Sequence, residues 1–77
     1  MKKTHKVRNL DFDNGHFKLE IDGKDYVFEV RKISLRLSRA SLSECNKFVV
    51  SPSGYGIHWP LIDEDLSIDG LLTIAKN

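Results

Sequence analysis

The chain has 77 residues and a formal net charge of +1, with 40% hydrophobic residues, 30% charged residues and a single cysteine. This length predicts one small domain over residues 1–77 and excludes a second hydrophobic core. A net charge near zero differs from the strongly basic charge that is typical of a stand-alone nucleic-acid-binding domain. A single cysteine excludes an internal disulfide and a cysteine-based metal cage, and it favours the reducing cytoplasm.

Charge is unevenly distributed along the chain. Residues 1–39 contain ten Lys or Arg and six Asp or Glu, whereas residues 40–77 contain two and five. The two parts therefore carry +4 and −3, and such a dipole can orient a protein partner or promote a homodimer.

The charged start 1–3 is followed by no apolar run of seven residues. We therefore expect no secretory signal and no membrane span, and the whole chain as the mature protein.

The first third of the chain is predicted to form three antiparallel strands with one apolar face. Apolar and polar residues alternate in three runs, which are separated by turn signals at Asn14-Gly15 and Asp22-Gly23. The alternating apolar residues are Leu10, Phe12, Phe17, Leu19, Ile21, Tyr26, Phe28 and Val30. The opposite face carries charged residues and is expected to be solvated.

A helix that covers the sheet is expected next. Apolar residues recur at the spacing of one helical face, and Ser34 is a candidate N-cap. These apolar positions are Ile33, Leu37 and Ala40. Ser41 and Glu44 then match a capping box, which predicts a separate short helical turn that ends near Asn46.

A second hairpin and a closing helix complete the predicted fold. The β-rich runs 48–51 and 55–59 are joined by a Pro-Ser-Gly turn, and Pro60 ends the second run. A closing helix is expected to start at Ser67 or Asp69. The predicted architecture is α+β with a three-stranded antiparallel meander, a helix, a second β-hairpin and a short C-terminal helix, in the order β-β-β-α-β-β-α.

No residue pattern predicts a catalytic, cofactor or metal site, so we expect a binding or regulatory protein rather than an enzyme. His5, His16 and His58 are scattered, and none has the spacing to another ligand type that builds a zinc site. His58 lies between two apolar residues of a predicted strand, so its side chain points to the opposite face. A metal-dependent hydrolase is a third hypothesis, which requires His58 to converge with two carboxylates from residues 63–65.

A basic ridge is a candidate partner-binding surface. Lys32, Arg36 and Arg39 recur at i, i+4 and i+7, beside the apolar face of the predicted helix. Such a ridge can contact an acidic partner or the phosphates of a nucleic acid. The alternative is the ordinary solvated side of an amphipathic helix.

An acidic cluster and two aromatic residues are the other candidates. The cluster consists of Asp63, Glu64 and Asp65. These carboxylates can contact a basic partner, bind a divalent cation, or cap the following helix as a solvated acidic rim. Tyr55 and Trp59 would add apolar contacts to a partner only if they were exposed, and the alternative for Trp59 is a core anchor.

Nearly the whole chain resembles a known bacterial family, and the later half of the match is its specific part. The residues that carry the resemblance are Ile33-Ser34, Leu37, Ala40-Ser41, Phe48, Ser51, Gly54-Tyr55-Gly56-Ile57-His58-Trp59-Pro60, Asp63-Glu64-Asp65-Leu66-Ser67 and Gly70-Leu71-Leu72. On this pattern the chain is similar, over about residues 6–73, to the family called domain of unknown function 2442.

The resemblance implies a compact α+β domain that occurs alone or fused to a helix-turn-helix domain. In some genomes the family lies beside a second small family, domain of unknown function 4160, in an arrangement that resembles a toxin–antitoxin pair with the present family as the antitoxin. It brings no established catalytic residues. The leading hypothesis is therefore a small cytoplasmic protein-interaction or regulatory module, the antitoxin-like partner of a small toxin-like protein. The alternative is weak nucleic-acid binding through the basic ridge.

Overall fold

The computed structural model describes residues 4–75 and confirms the predicted α+β class. Its elements are β1 (Val7–Asp13), β2 (His16–Ile21), β3 (Lys24–Glu29), α1 (Val30–Ile33), α2 (Leu35–Arg39), α3 (Leu42–Cys45), β4 (Val49–Val50), β5 (Gly56–Trp59), β6 (Glu64–Ser67) and α4 (Ile68–Ala75). The strands form two three-stranded antiparallel sheets, with orders β1-β2-β3 and β4-β5-β6. Within residues 4–75, no helix combines the length and the apolar character needed to cross a membrane.

The first sheet is the predicted meander, and its two turns follow from local sequence. Asn14 and Gly15 have φ values of 49° and 77°, and Asp22 and Gly23 have φ values of 52° and 84°. Two successive residues with positive φ form the turn that matches the twist of a hairpin, and Asn, Asp and Gly adopt that conformation most readily. The alternating apolar side chains of β2 are buried on one face.

The predicted covering helix is wrong in one respect, because it is broken at Ser34 into α1 and α2. Ser34 adopts extended φ and ψ values of −162° and 116°, and its side-chain oxygen accepts a hydrogen bond from the backbone N–H of Leu37. It is therefore the N-cap of α2, as predicted, but it also ends α1. The capping box of Ser41 and Glu44 is present in α3.

The second sheet contains the predicted hairpin and one strand that was not predicted. Strands β4 and β5 pair as expected, and β5 ends at the residue before Pro60. After a turn in which Asp63 has a φ of 53°, residues 64–67 form β6 and pair with β5. Two of the three acidic residues therefore lie in a strand rather than in a loop.

Trp59 lies where the two sheets and α3 meet. Its side chain is 0% exposed, and its ring centroid lies 6.0 Å from that of Phe17 and 6.5 Å from that of Phe48. The indole Nε1–H donates a hydrogen bond of 2.9 Å to the carbonyl of Cys45. Burial of a large aromatic side chain with its polar atom satisfied makes Trp59 the central anchor of the core.

Candidate functional site

An open cleft between α2 and the turn that joins β5 to β6 contains several of the predicted partner-binding residues. We call it the α2 cleft, and its volume is about 570 Å³. It is lined by Leu35, Arg36, Arg39, Ala40, Glu44, Ile62 and Glu64. The cleft thus combines apolar side chains with charged side chains of both signs.

Arg36 connects α2 to the opposite wall of the cleft. Its Nη1 donates a hydrogen bond of 2.6 Å to the backbone carbonyl of Asp63. Arg36 of the basic ridge and Asp63 of the acidic cluster are therefore neighbours at this cleft. The contact uses a neutral carbonyl, so it fixes the guanidinium without neutralising its charge.

The two carboxylates of the cleft are already engaged by donors of the chain. Glu64 accepts hydrogen bonds from the hydroxyl of Ser34 at 2.5 Å and from the backbone N–H of Asp65 at 2.9 Å. Glu44 accepts a bond of 2.9 Å from the backbone N–H of Ser41 as part of the capping box. These bonds fill part of the capacity of each carboxylate to bind a further cation.

Arg39 and Leu35 are the side chains of the cleft that are most available to a partner. Arg39 is exposed and makes no hydrogen bond or ion pair with any residue in the part of the chain that the structure describes. Leu35 is 64% exposed, although it is a large aliphatic side chain. An exposed aliphatic group beside an unpaired guanidinium is the combination that can anchor and orient a protein partner.

Lys32 does not join this site. It lies on α1, beyond the break at Ser34, and its Nζ forms an ion pair of 3.0 Å with Glu29. The hydrogen bond from Lys32 lowers the pKa of Glu29 below its usual value. The predicted ridge of Lys32, Arg36 and Arg39 is therefore not one continuous helix face.

The two aromatic candidates also separate. Trp59 is fully buried, so the prediction that it contributes to a partner surface is wrong and its alternative role as a core anchor is confirmed. Tyr55 is exposed, but it lines a different cavity of about 320 Å³ with Val49, His58 and Asp65. This cavity lies on the outer face of the second sheet.

The acidic cluster is divided between the two faces of β6. Register places Glu64 opposite Trp59 and Asp65 opposite His58, so the two carboxylates point in opposite directions. Asp65 contacts His58 at 2.8 Å between Oδ1 and Nδ1. Among residues 4–75, no group of three or more His, Cys, Asp or Glu side chains is arranged to hold a metal ion. The convergence that the hydrolase hypothesis requires is therefore not found in these residues.

Comparison with known families gives a clear result. Residues 7–77 match the model of a family described as protein of unknown function (DUF2442). The chain belongs to this family. The DUF2442 chain also resembles the crystal structure of a protein of unknown function from Rhodospirillum rubrum, with 23% sequence identity and a TM-score of 0.72. The match covers 92% of this chain and 88% of the other, and it supports the fold alone. No curated protein matches the sequence.

One contact of the DUF2442 chain could not be predicted from sequence spacing. His5 contacts both Asp22 and Asp69, which are 17 and 64 residues away along the chain. The Asp22-Gly23 pair predicts the backbone conformation of a turn, but it does not predict that a histidine lies beside Asp22. Only the tertiary structure brings the three side chains together.

Proposed function

We propose that this DUF2442 chain is a small non-catalytic protein-interaction module of the cytoplasm, which binds a small protein partner in the α2 cleft. In this proposal it acts in the manner of an antitoxin, by covering the functional surface of its partner. The observation that carries the proposal is that exposed Leu35 lies in one cleft with Arg39, whose guanidinium has no hydrogen-bond or ion-pair partner among residues 4–75.

Leu35 supports an apolar contact at the centre of the interface. A large aliphatic side chain gains about 1.5–3 kcal/mol when it passes from full exposure to full burial. Leu35 is 64% exposed in the free chain, so most of that gain is still available to a complex. The residue types that most often dominate binding energy include Arg but not Leu, so Leu35 would supply buried apolar area beside Arg39.

The charges of the cleft indicate the chemistry of the partner. Glu44 and Glu64 already accept hydrogen bonds within the chain, whereas Arg39 has no partner in the described residues. A carboxylate of the partner can therefore bind Arg39 without competing for an existing contact, and planar guanidinium favours such a bidentate pair. We infer a partner segment that carries an apolar side chain next to an Asp or Glu.

Affinity capture of the tagged chain from its native host tests the proposal, with Leu35→Ser as the main variant. The matched control is Leu42→Ser, because Leu42 is the same residue type, also begins a short helix, is 62% exposed, and lines another cavity. We expect one small protein at near-stoichiometric amount with the wild type and the control. Leu35→Ser should weaken the affinity by about tenfold, which corresponds to about 1.4 kcal/mol, and should lower the recovered amount.

Charge reversal tests the chemistry of the partner. Arg39→Glu is expected to weaken binding by at least about tenfold, because it places a carboxylate opposite the partner's acid. Lys24→Glu makes the same change of charge on the first sheet and should leave recovery unchanged. Equal recovery with Arg39→Glu and wild type would contradict an acidic contact at this position.

The same eluates distinguish the alternative functions. Nucleic acid that is lost at moderate salt, without a stoichiometric protein, would overturn the proposal in favour of electrostatic nucleic-acid binding. Recovery of only a second copy of the chain would replace the foreign partner with a homodimer. An empty eluate from captures at low and at moderate salt would contradict a stable complex of either kind.

A further inference from the structure

The N-terminal segment of residues 4–6 is attached to two distant parts of the chain by its backbone. The N–H of His5 donates to the carbonyl of Ser53 at 3.0 Å. Lys6 exchanges bonds with Asp22, since its N–H donates to Oδ1 at 2.9 Å and its carbonyl accepts from the N–H of Asp22 at 2.8 Å. The segment therefore contacts the β4–β5 loop on one side and the β2–β3 turn on the other.

Gly54 allows the segment to lie this close to the β4–β5 loop. A Cβ atom at this position would lie only 1.8 Å from the carbonyl oxygen of His5, and Gly54 has a φ of +71°. Both features require glycine, because a side chain would meet rigid backbone and the conformation is unfavourable for other residues. The loop is thus shaped to receive the segment.

The ring of His5 links the segment to a third part of the chain. Its Nδ1 lies 2.7 Å from Oδ2 of Asp22, and its Nε2 lies 3.1 Å from Oδ1 of Asp69 in α4. The side chain is only 14% exposed. Neutral imidazole has a single N–H, so it can donate to one carboxylate while its other nitrogen presents a lone pair to the second. Only the imidazolium form donates to both.

The charges that face His5 agree with this geometry. Asp22 comes from the β2–β3 turn and Asp69 from α4, while Lys6 lies on the same segment and the β4–β5 loop contributes the Ser53 carbonyl. The hydrogen bond to Asp22, followed by that to Asp69, raises the pKa of His5 above its ordinary value. The same contact, followed by the backbone N–H of Lys6, lowers the pKa of Asp22.

We propose that His5, as an imidazolium bound between Asp22 and Asp69, is a pH-sensitive latch that holds residues 4–6 against the β2–β3 turn, the β4–β5 loop and α4. Loss of the proton removes one of the two donated bonds and leaves a lone pair against a carboxylate. The segment then separates from the fold, and the β4–β5 loop loses the bond between His5 and Ser53. The rest of the first sheet does not depend on this latch.

The pH range of the latch follows from the directions of the two pKa shifts. The contribution of His5 is fully present below its ordinary pKa of 6.5 and is lost as the pH rises through its higher pKa in the folded chain. The contribution of Asp22 is present above its ordinary pKa of 3.8 and is lost as the pH falls through its lower folded value. The latch is therefore strongest between these two ordinary values.

NMR titration of the full chain measures both the proton and the opening. The ring C–H signals should give a pKa for His5 above 6.5. Between 6.5 and that pKa, amide protection factors of His5 and Lys6 should fall as the pH rises, by at most about tenfold per pH unit, after correction for intrinsic exchange. Amides of β2 should keep their protection over the same range.

Asp22→Asn isolates the ionic contact. Asparagine tolerates the positive φ of this turn and retains an oxygen for the N–H of Lys6, so the backbone contact is preserved. The variant is expected to lower the pKa of His5 and to reduce the protection of its amide at pH 6. Asp25→Asn, on exposed β3, should change neither. A His5 pKa at or below 6.5, or unchanged protection while the ring titrates, would overturn the latch.

Discussion

The two faces of β5 show how different neighbouring residues of one short strand can be. On the inner face, Trp59 is 0% exposed and contacts aromatic rings from both sides of the core. On the outer face, the side chain of His58 is 44% exposed and contacts only Asp65 of the adjacent strand among the hydrogen bonds of the described residues. Trp59 therefore holds parts of the fold together, whereas His58 lies on the surface of the second sheet.

This difference separates residues 54–60 of the family pattern from the binding site, although Ala40 and Glu64 of the same pattern line the α2 cleft. Residues 54–60 of that pattern span both faces of β5 and contribute their largest side chain, Trp59, to the core. The available side chains of the α2 cleft come from another element, the short helix α2. A run of residues that identifies a family therefore does not, by itself, locate the surface that a partner would bind.

Trp59→Ala, on the inner face of β5, is expected to destabilise the chain more than the other substitutions considered below. We expect a loss of about 3–5 kcal/mol in the free energy of unfolding, because the change removes a large buried ring and leaves a cavity. It also removes the indole hydrogen bond to the carbonyl of Cys45. Urea denaturation followed by circular dichroism measures the loss, since the variant has no tryptophan for fluorescence.

A domain of this size has little stability to lose. At about 0.05–0.15 kcal/mol per residue, the total free energy of unfolding is only a few kcal/mol up to about ten. Trp59→Ala should therefore be largely unfolded or close to it at 37 °C. A loss below about 1 kcal/mol would show that the sheets are held together mainly by other contacts.

Sequence predicted those parts of the fold that local interactions determine. The turns at Asn14-Gly15 and Asp22-Gly23 and the capping box of α3 are formed by residues a few positions apart, and all three are confirmed. The alternation of apolar residues likewise identified the buried face of β2. In each case the residues that carry the signal also make the contacts.

The missed features depend on contacts between distant residues. The helix break at Ser34 is accompanied by a bond from its hydroxyl to Glu64, which is 30 residues away. The same carboxylate belongs to β6, a strand whose acidic start resembled a loop and which forms by pairing with β5. For the candidate site, the sequence identified Arg36 and Arg39 but gave no reason to include Leu35, whose exposure is a property of the tertiary structure.

Ser34→Ala removes a buried polar side chain that links the start of α2 to β6 of the second sheet. Ser34 is buried, accepts a bond from the N–H of Leu37 and donates one to Glu64. Alanine removes the N-cap and leaves two polar groups with one partner fewer, so we expect a loss of about 2 kcal/mol in the free energy of unfolding. Thermal or urea denaturation measures it. Ser43→Ala, at an exposed position of α3, is the control and should change stability by less than about 0.5 kcal/mol.

His58→Ala, on the outer face of β5, should have the smallest effect on the free energy of unfolding. His58 and Asp65 are both substantially exposed, and even an exposed ion pair contributes only about 0–1 kcal/mol, so this contact contributes no more. We therefore expect the free energy of unfolding to change by less than about 0.5 kcal/mol, in contrast to the neighbouring Trp59→Ala. Capture of the protein partner should also be unchanged, because His58 does not line the α2 cleft. If His58→Ala kept full stability but lost the partner, the outer face of β5, with Tyr55 and its cavity, would replace the α2 cleft as the interaction site.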